Sequence, residues 1–249
     1  MIKFLDIYKN DKELHSKILN EIKKFFKKGD FILGESVSKF EKNFSKLCKS
    51  KFSISCANGT DALTLALKSL NLKQGSEVII PAMTYCSTAF SVINANLKPI
   101  LVDTKYMSPT IDLDKLEKKI NKKTKVIMPV HLYGSVVNLN KIKNIIKKSK
   151  KKIYLVDDCA QAHGATIGDS INKRVGATSD ISCFSLYPGK NLGAYGDAGI
   201  ITTNSKKFYK LISNLRNLGS TKKFIHNQIG QNSRLDTIQA AILNIKIKD

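Results

Sequence analysis

Apolar positions along the chain alternate between short continuous runs and longer stretches with helical spacing. The short runs predict buried strands, and they lie at residues 52–56, 78–80, 100–102, 126–130, 153–156, 181–184 and 200–203. Apolar residues spaced three or four apart predict amphipathic helices, and these lie at residues 11–28, 36–47, 62–70, 88–95, 113–120, 139–146, 206–218 and 234–247. Strands that alternate with helices predict an α/β fold with a mostly parallel, doubly wound sheet.

The end of the sequence falls inside the last predicted helix. Asp249 comes after that amphipathic stretch without a capping or helix-breaking residue, and helices normally end with such a signal. We therefore expect a longer protein to have been cut short here.

The composition is that of a globular chain. Its 249 residues, 42% of them hydrophobic, are enough for a sizeable core. No apolar run approaches the roughly 20 residues that cross a bilayer, and the N-terminus lacks the basic-then-apolar layout of a signal peptide. We therefore expect a cytoplasmic protein with no membrane partner.

The formal net charge of +22 raises the possibility of nucleic-acid binding. However, only three of the 42 basic residues are arginines. Proteins that bind nucleic-acid phosphates and bases favour arginine, because its guanidinium makes bidentate contacts. We therefore expect no nucleic-acid partner.

The four histidines show no metal-ligand spacing and the five cysteines form no C-x-x-C pair, so we predict no metal site.

Residues 185–199 form a glycine-rich stretch between two predicted strands, and this stretch contains Lys190. Glycines at this density favour a tight loop. In α/β proteins ligands bind at such strand ends, where a desolvated lysine amine is a candidate for Schiff-base chemistry. The alternative is an ordinary solvent-exposed lysine.

Two further stretches come after predicted strands and carry polar groups. Residues 58–61 begin a helix, where free N–H groups, the Thr60 hydroxyl and Gly59 could bind a phosphate; the alternative is a plain N-cap. Residues 154–164 bring Asp157 and Asp158, of which only one can point into a site because strand side chains alternate. Asp158 is nearer the strand end and could pair with a heteroaromatic nitrogen, or either carboxylate could merely cap the next segment of the chain.

Two more stretches could complete such a site. Tyr85, in residues 81–88, could stack on a planar ligand or be half-buried packing. Residues 230–236 are predicted to open the last helix with polar groups that could bind an anion, or with Asn232 or Ser233 as the N-cap. A phosphate cradle, a stacking ring, a carboxylate and a lysine amine are together what pyridoxal phosphate (PLP) needs.

In this order and spacing the motifs closely resemble the DegT/DnrJ/EryC1/StrS family of sugar aminotransferases. The resemblance covers nearly the whole chain and rests on residues 31–34, 58–63, 81–88, 99–103, 130–134, 156–164, 185–199 and 232–241. It implies the large domain of the fold-type-I PLP-dependent transferases, with the family's small C-terminal domain missing. The chain then divides into an N-terminal helical segment, residues 1–30, and a PLP-binding large domain, residues 31–249.

The resemblance also implies a role for each matching position. Lys190 would hold PLP as a Schiff base and move the proton in catalysis, and Asp158 would pair with the ring nitrogen. The remaining cofactor contacts would be stacking by Tyr85, a contact of Gln161 near the ring hydroxyl, phosphate binding by Gly59, Thr60 and Ser185, and Asn232 reaching in from a second subunit. The family usually has Glu-Asp where this chain has two aspartates, which leaves the ring-facing residue unchanged.

The implied activity is transfer of an amino group from an amino acid, glutamate or a similar donor, to a keto group of a nucleotide-linked sugar. The enzyme would be a homodimer with shared active sites and would serve polysaccharide or glycoconjugate biosynthesis. One alternative is a PLP-dependent sugar dehydratase, in which histidine replaces the lysine; Lys190 argues against it. Another is a non-catalytic regulator on the same scaffold.

Overall fold

A computed structural model describes residues 6–168 and 170–248. Residues 1–5 of the predicted N-terminal segment and Asp249, where the sequence ends, lie outside the described residues. The predicted division of the chain at residues 30 and 31 stays a prediction.

The helices and strands match the predicted alternation closely. The helices are α1 (Ile7–Asn10), α2 (His15–Lys28), α3 (Glu35–Cys48), α4 (Gly59–Ser69), α5 (Cys86–Asn94), α6 (Leu113–Lys119), α7 (Leu139–Ser149), α8 (Lys206–Leu215) and α9 (Thr237–Lys246). The strands are β1 (Phe52–Cys56), β2 (Glu77–Pro81), β3 (Lys98–Val102), β4 (Thr124–Ile127), β5 (Tyr154–Asp158), β6 (Thr166–Ile167), β7 (Ser170–Arg174), β8 (Ile181–Ser185), β9 (Gly199–Thr203), β10 (Ser220–Lys222) and β11 (Ile225–His226). None of the helices in the described ranges has the length and apolar character needed to cross a membrane.

Seven strands form the central sheet, in the order β1-β9-β8-β5-β4-β2-β3. Strands β8, β5, β4, β2 and β3 pair in parallel, whereas β9 pairs antiparallel with both β1 and β8. The predicted mostly parallel sheet is therefore confirmed. The chain reverses its direction of travel across the sheet between β2 and β4, which is the kind of switch point where open α/β sheets bind ligands.

Successive strand residues face opposite sides of the sheet, and each side is covered by helices. Val78 and Ile80 of β2 belong to the apolar cluster that contains residues of α4, α5 and α8, while Ile79 between them packs with residues of α6 and α7. Helices α3 and α9 cover the second side over β8 and β9. The continuous apolar runs of the strands are explained by this burial on both faces.

Several helix boundaries and two small hairpins differ from the sequence prediction, which did not include α1 and began α2 at residue 11 rather than His15. Helix α9 begins at Thr237 rather than residue 234, and α8 ends at Leu215 rather than residue 218. The carbonyls of Leu215 and Arg216 accept hydrogen bonds from the N–H groups of Gln231 and Ser233. These long-range bonds replace further helical turns at both places. The hairpins β6–β7 and β10–β11 were not predicted.

A nearly buried ion pair joins α3 to the segment after α8, behind strand β1. Glu41 and Arg216 have side chains only 14% and 11% exposed. The Arg216 guanidinium also donates to the Ser55 carbonyl at 2.7 Å, and the Ser55 N–H donates to Glu41 at 2.9 Å. Because both side chains are largely removed from water, each charge needs the opposite charge of its partner to offset the free-energy cost of burial.

Replacing Glu41 with alanine is predicted to destabilise the fold strongly. The change leaves the Arg216 charge buried without a counter-ion, which typically costs about 3–5 kcal/mol. Urea denaturation of Glu41→Ala measures the loss. Asp103→Ala is the control, because it removes an ion pair with Lys115 whose side chains are 70% and 53% exposed. Equal midpoints for the two variants would contradict the structural role of the buried pair.

Candidate functional site

A cavity of about 530 Å³ opens at the edge of the sheet where the parallel strands end. Segments that come after β1, β2, β4, β5 and β8 supply its walls, together with the segment that precedes the antiparallel strand β9. The lining residues are Asn58, Gly59, Thr60, Leu63, Thr84, Tyr85, Ser87, Val130, Leu132, Asp158, Ala160, Gln161, Ser185, Tyr187, Lys190 and Asp197. The volume is typical of a site for a small molecule.

The turn between β1 and α4 presents the amino end of a helix to this cavity. The Asn58 side chain accepts a hydrogen bond from the Asp61 N–H at 2.8 Å, so the predicted N-cap alternative holds for Asn58. The N–H groups of Gly59 and Thr60 precede this capped position and have no partner four residues back within the helix. Helix N-termini attract anions, and a phosphate oxygen suits these two donors.

Gly59 brings this turn against the end of β8. A Cβ atom at Gly59 would lie 2.7 Å from the Ser185 Cβ, closer than non-bonded carbons approach. On the other wall of the turn, the Thr60 hydroxyl donates to Ser87 at 2.8 Å. The absence of a side chain at Gly59 therefore lets Ser185 and the helix start face the same space.

The loop that carries Lys190 is held by its own backbone and by α9. The Lys190 N–H donates to the Tyr187 carbonyl at 2.9 Å, and the Ala194 N–H donates to the Leu186 carbonyl at 2.8 Å. Gln239 of α9 accepts from the Tyr195 N–H at 2.9 Å. The loop is thus a fixed structure at the strand end, as the glycine content predicted.

Tyr195 anchors the same loop to both ends of the described chain. Its hydroxyl donates to Asp11 at 2.9 Å, and Lys246 donates to the same carboxylate oxygen at 2.8 Å. The Lys246 ammonium also lies 5.1 Å from the centre of the Tyr195 ring. Burial and the Asp11 carboxylate raise the pKa of Tyr195 to about 12.

Asp158 is the carboxylate that enters the cavity. One of its oxygens accepts from the Thr88 hydroxyl at 2.8 Å, and the other accepts from the Ala160 N–H at 3.1 Å. The Thr84 hydroxyl lies 2.7 Å from Thr88, so Thr84 donates to Thr88 while Thr88 donates to Asp158. Burial raises the pKa of Asp158, and the Thr88 hydrogen bond offsets part of this effect.

Asp157 lies in the preceding position and has a structural environment. Its carboxylate accepts from the Ser179 hydroxyl at 2.6 Å and lies 3.5 Å from His131 Nε2. His131 Nδ1 accepts from the Val137 N–H at 3.1 Å, which leaves the proton on Nε2, facing Asp157. His131, Asp157 and Cys159 bring potential ligand atoms within 4.8 Å of one another. We interpret this buried group as a structural contact between His131 and Asp157 beside the Cys159 thiol. Burial raises the pKa of that thiol well above its usual range.

Seven of the eight predicted site residues line the same cavity, namely Gly59, Thr60, Tyr85, Asp158, Gln161, Ser185 and Lys190. Asn232 is not among the residues that line it. Residues 230–236 lead into α9 and end at its N-cap, Asp236, so the alternative of Asn232 or Ser233 as the N-cap is wrong. Asn232 instead pairs with Asn217 in a β-bridge. Asn232 is exposed on the surface of this chain.

Thr88, Ser87, Tyr187 and Asp197 belong to the site, although the sequence did not assign them roles. Thr88 and Ser87 lie in the first turn of α5, where hydroxyl-bearing residues after a strand were a usable signal. Tyr187 and Asp197 flank Lys190 in its loop and gave no comparable signal. Behind Lys190, burial lowers the pKa of His163 to about 4, so its imidazole is neutral at pH 7.

Comparison with known proteins identifies relatives over almost the whole chain. A sequence model of the DegT/DnrJ/EryC1/StrS aminotransferase family matches residues 12–249. The chain is 42% identical over 247 residues to the dTDP-3-amino-3,6-dideoxy-alpha-D-galactopyranose transaminase of Aneurinibacillus thermoaerophilus, covering 99% of this chain and 67% of that protein. It is 35% identical over 246 residues to the dTDP-3-amino-3,4,6-trideoxy-alpha-D-glucose transaminase of Streptomyces venezuelae, covering 99% of this chain and 64% of that protein.

A solved structure has the same fold. The crystal structure of S. venezuelae DesV in complex with a ketimine intermediate superposes with a TM-score of 0.94 at 35% sequence identity. The matched region covers 99% of this chain and 65% of that chain.

The substitution Gly59→Ala is predicted to disrupt the cavity. The new Cβ would clash with Ser185 and push the turn away from the lysine loop. We expect the free energy of unfolding to fall by about 1–3 kcal/mol, which is typical of overpacking. We also expect the affinity for PLP to fall, by more than the loss of stability alone would cause. Isothermal titration with PLP and thermal unfolding measure the two effects.

The double variant Gly59→Ala/Ser185→Gly is the control, because it removes the Ser185 Cβ that the alanine would meet. Partial recovery of stability is expected. No recovery at all would show that the contact between these two positions does not limit the turn.

The substitution Thr88→Val is predicted to raise the pKa of Asp158 further in the protein without cofactor. The change removes a hydrogen bond that favours the ionised carboxylate. Because its pKa is raised in the folded protein, ionisation of Asp158 opposes folding. The free energy of unfolding therefore falls as pH rises from the pKa of Asp158 in the unfolded chain through its pKa in the folded protein. Carbon-13 NMR titration of the carboxyl group measures the shift. Thr88→Ser keeps the hydroxyl and should leave the pKa unchanged; an equal pKa in all three proteins would contradict the assignment.

Proposed function

This chain belongs to the DegT/DnrJ/EryC1/StrS aminotransferase family, and we propose from that premise that it binds PLP and transfers an amino group to a nucleotide-linked keto sugar. The observation that carries the proposal is the meeting of Lys190, Asp158 and the turn Asn58–Gly59–Thr60 in one cavity of about 530 Å³. The chain spans 64% of the length of the Streptomyces venezuelae relative and 67% of the Aneurinibacillus thermoaerophilus relative. The activity is therefore proposed for the protein to which these residues belong.

The residues present fit PLP group by group. The amino end of α4 and the Ser185 hydroxyl offer donors for a phosphate, and the missing Cβ at Gly59 leaves the space for its approach. Tyr85 is 74% exposed in the cavity wall, which leaves its ring free to stack on a planar ligand. Gln161 lines the same cavity and would contact the polar edge of the ring.

Asp158 and Lys190 would supply the chemistry that the protein itself contributes. The Asp158 carboxylate would hold the proton on the ring nitrogen, and its hydrogen bonds from Thr88 and Ala160 fix its orientation. When bound, PLP supplies an electron sink for the carbon that gains or loses the amino group. The Lys190 amine would hold the cofactor through a Schiff base and move the proton to and from the reacting carbon.

The proposed acceptor is a nucleotide-linked sugar, and the proposed donor is glutamate or a similar amino acid. The Aneurinibacillus thermoaerophilus and Streptomyces venezuelae relatives are named as transaminases of dTDP-linked amino sugars. The net charge of +22 suits an anionic sugar diphosphate. We propose that the protein serves polysaccharide or glycoconjugate biosynthesis in the cytoplasm.

The proposed assembly is a homodimer in which Asn232 of one copy reaches the cavity of the other. Asn232 is exposed and lies outside its own chain's cavity wall. Large apolar side chains are exposed near it in sequence, with Phe224 at 85% and Ile229 at 97%. Exposed apolar groups close to an exposed polar residue suit a surface that a second copy covers.

Substituting Lys190 with alanine is predicted to abolish the visible absorbance of the protein-bound cofactor and to slow amino transfer by at least about 10²-fold, the usual contribution of a positioned acid–base group. In the unchanged protein, glutamate should bleach the visible band. Absorbance spectra recorded with PLP, before and after adding glutamate, measure both effects. A band that persists in Lys190→Ala, or that glutamate does not change in the unaltered protein, would refute the proposal.

A further inference from the structure

Ser233 forms a bridge behind the turn that faces the cavity; it does not line the cavity, and it is not the N-cap of α9. Its hydroxyl donates to Asp61 Oδ2 at 2.6 Å and accepts from the Ala57 N–H at 3.3 Å. Ala57 and Asp61 immediately flank the turn Asn58–Gly59–Thr60. One hydroxyl therefore ties together the two ends of the segment that presents the helix N-terminus.

The surroundings of the bridge make it specific. Ser233 is 0% exposed, and it comes from a segment more than 170 positions away in the sequence. Its own N–H donates to the Arg216 carbonyl at 2.9 Å, which fixes the backbone that carries the hydroxyl. Neither Ser233 nor Asp61 lines the cavity, so both contact the turn from its rear.

The bridge also frees the turn's own donors for a ligand. The Asp61 N–H is occupied by the Asn58 side chain, and the Asp61 carboxylate is held by Ser233. The Asp61 charge is thereby kept on the side away from the cavity, where it repels a bound phosphate least. The N–H groups of Gly59 and Thr60 stay directed to the cavity edge with a fixed spacing.

We propose that Ser233 and Asp61 are positioning residues that preorganise the turn Asn58–Gly59–Thr60 for the phosphate of the cofactor. The proposal rests on the proposed PLP-dependent function, and it adds two residues that act through the turn without touching the ligand. Preorganised donors bind more tightly because less conformational freedom is lost on binding. Ser233 and Asp61 therefore strengthen binding of the phosphate group and leave binding of the ring unchanged.

The test compares PLP with pyridoxal, which has the same ring and aldehyde but no phosphate. For Ser233→Ala we expect PLP affinity to fall roughly ten-fold, the effect of losing a hydrogen bond to a charged group, while pyridoxal affinity stays within about two-fold. Ser69→Ala is the matched control. Ser69 is in α4, is 4% exposed, and donates only to the Ala66 carbonyl at 2.7 Å.

Asp61→Ala provides a second variant should Ser233→Ala fold poorly, because the Asp61 side chain is only half-buried. It should show the same selective loss, and the two changes together should cost little more than either alone, since they break one bridge. Equal weakening of PLP and pyridoxal, or a fall in thermal stability without a change in the affinity ratio, would overturn the proposal. Failure of the proposed function is distinguishable, because the unaltered protein would then bind neither compound at Lys190.

Discussion

The site depends on the close approach of three backbone segments at one edge of the sheet. Gly199 begins β9 and pairs with Cys56 at the end of β1 and with Ser185 at the end of β8. A Cβ at Gly199 would lie 2.3 Å from the Asn58 carbonyl oxygen, and one at Gly59 would lie 2.7 Å from the Ser185 Cβ. Side chains at these two positions would separate the turn Asn58–Gly59–Thr60 from the loop that carries Lys190. The shared cavity therefore exists because two glycines permit this packing.

The pleat of β5 assigns different tasks to two adjacent carboxylates. Asp158 faces the cavity and is oriented by Thr88, whereas Asp157 lies beside Ser179 and His131 away from it. Both side chains are buried, and burying a carboxylate is costly unless it is hydrogen-bonded. Both oxygens of Asp158 accept hydrogen bonds, from Thr88 and the Ala160 N–H, and one oxygen of Asp157 accepts from Ser179 and Ser182. The same strand thus directs one carboxylate into the cavity and the other into a buried environment beside Ser179 and His131.

The periodicity of apolar residues predicted the seven strands of the central sheet and the order of helices because burial on both faces leaves a strong pattern. The motifs at strand ends, together with the family resemblance that added Gln161 and Ser185, predicted seven residues of the cavity, because parallel strands end at one edge. Periodicity could not show where α9 begins, since Ser233 bonds to the distant Arg216 carbonyl rather than entering a helix. The Thr88 hydroxyl was a usable signal, but its hydrogen bond to Asp158 was hidden for the same reason, as was the bridge of Ser233. Both contacts are set by tertiary packing, which no local pattern records.

We propose that the sheet edge places one lysine amine, Lys190, where the aldehyde of a phosphate-anchored cofactor reaches it, whereas the many other lysines lie elsewhere on this basic surface. Borohydride reduction of the protein with stoichiometric PLP, followed by peptide mapping by mass spectrometry, tests this directly. We expect the label to be confined to the peptide containing Lys190, and we expect excess inorganic phosphate, which competes for the turn, to reduce labelling there. A label spread over several surface lysines, or concentrated on another residue, would contradict the claim.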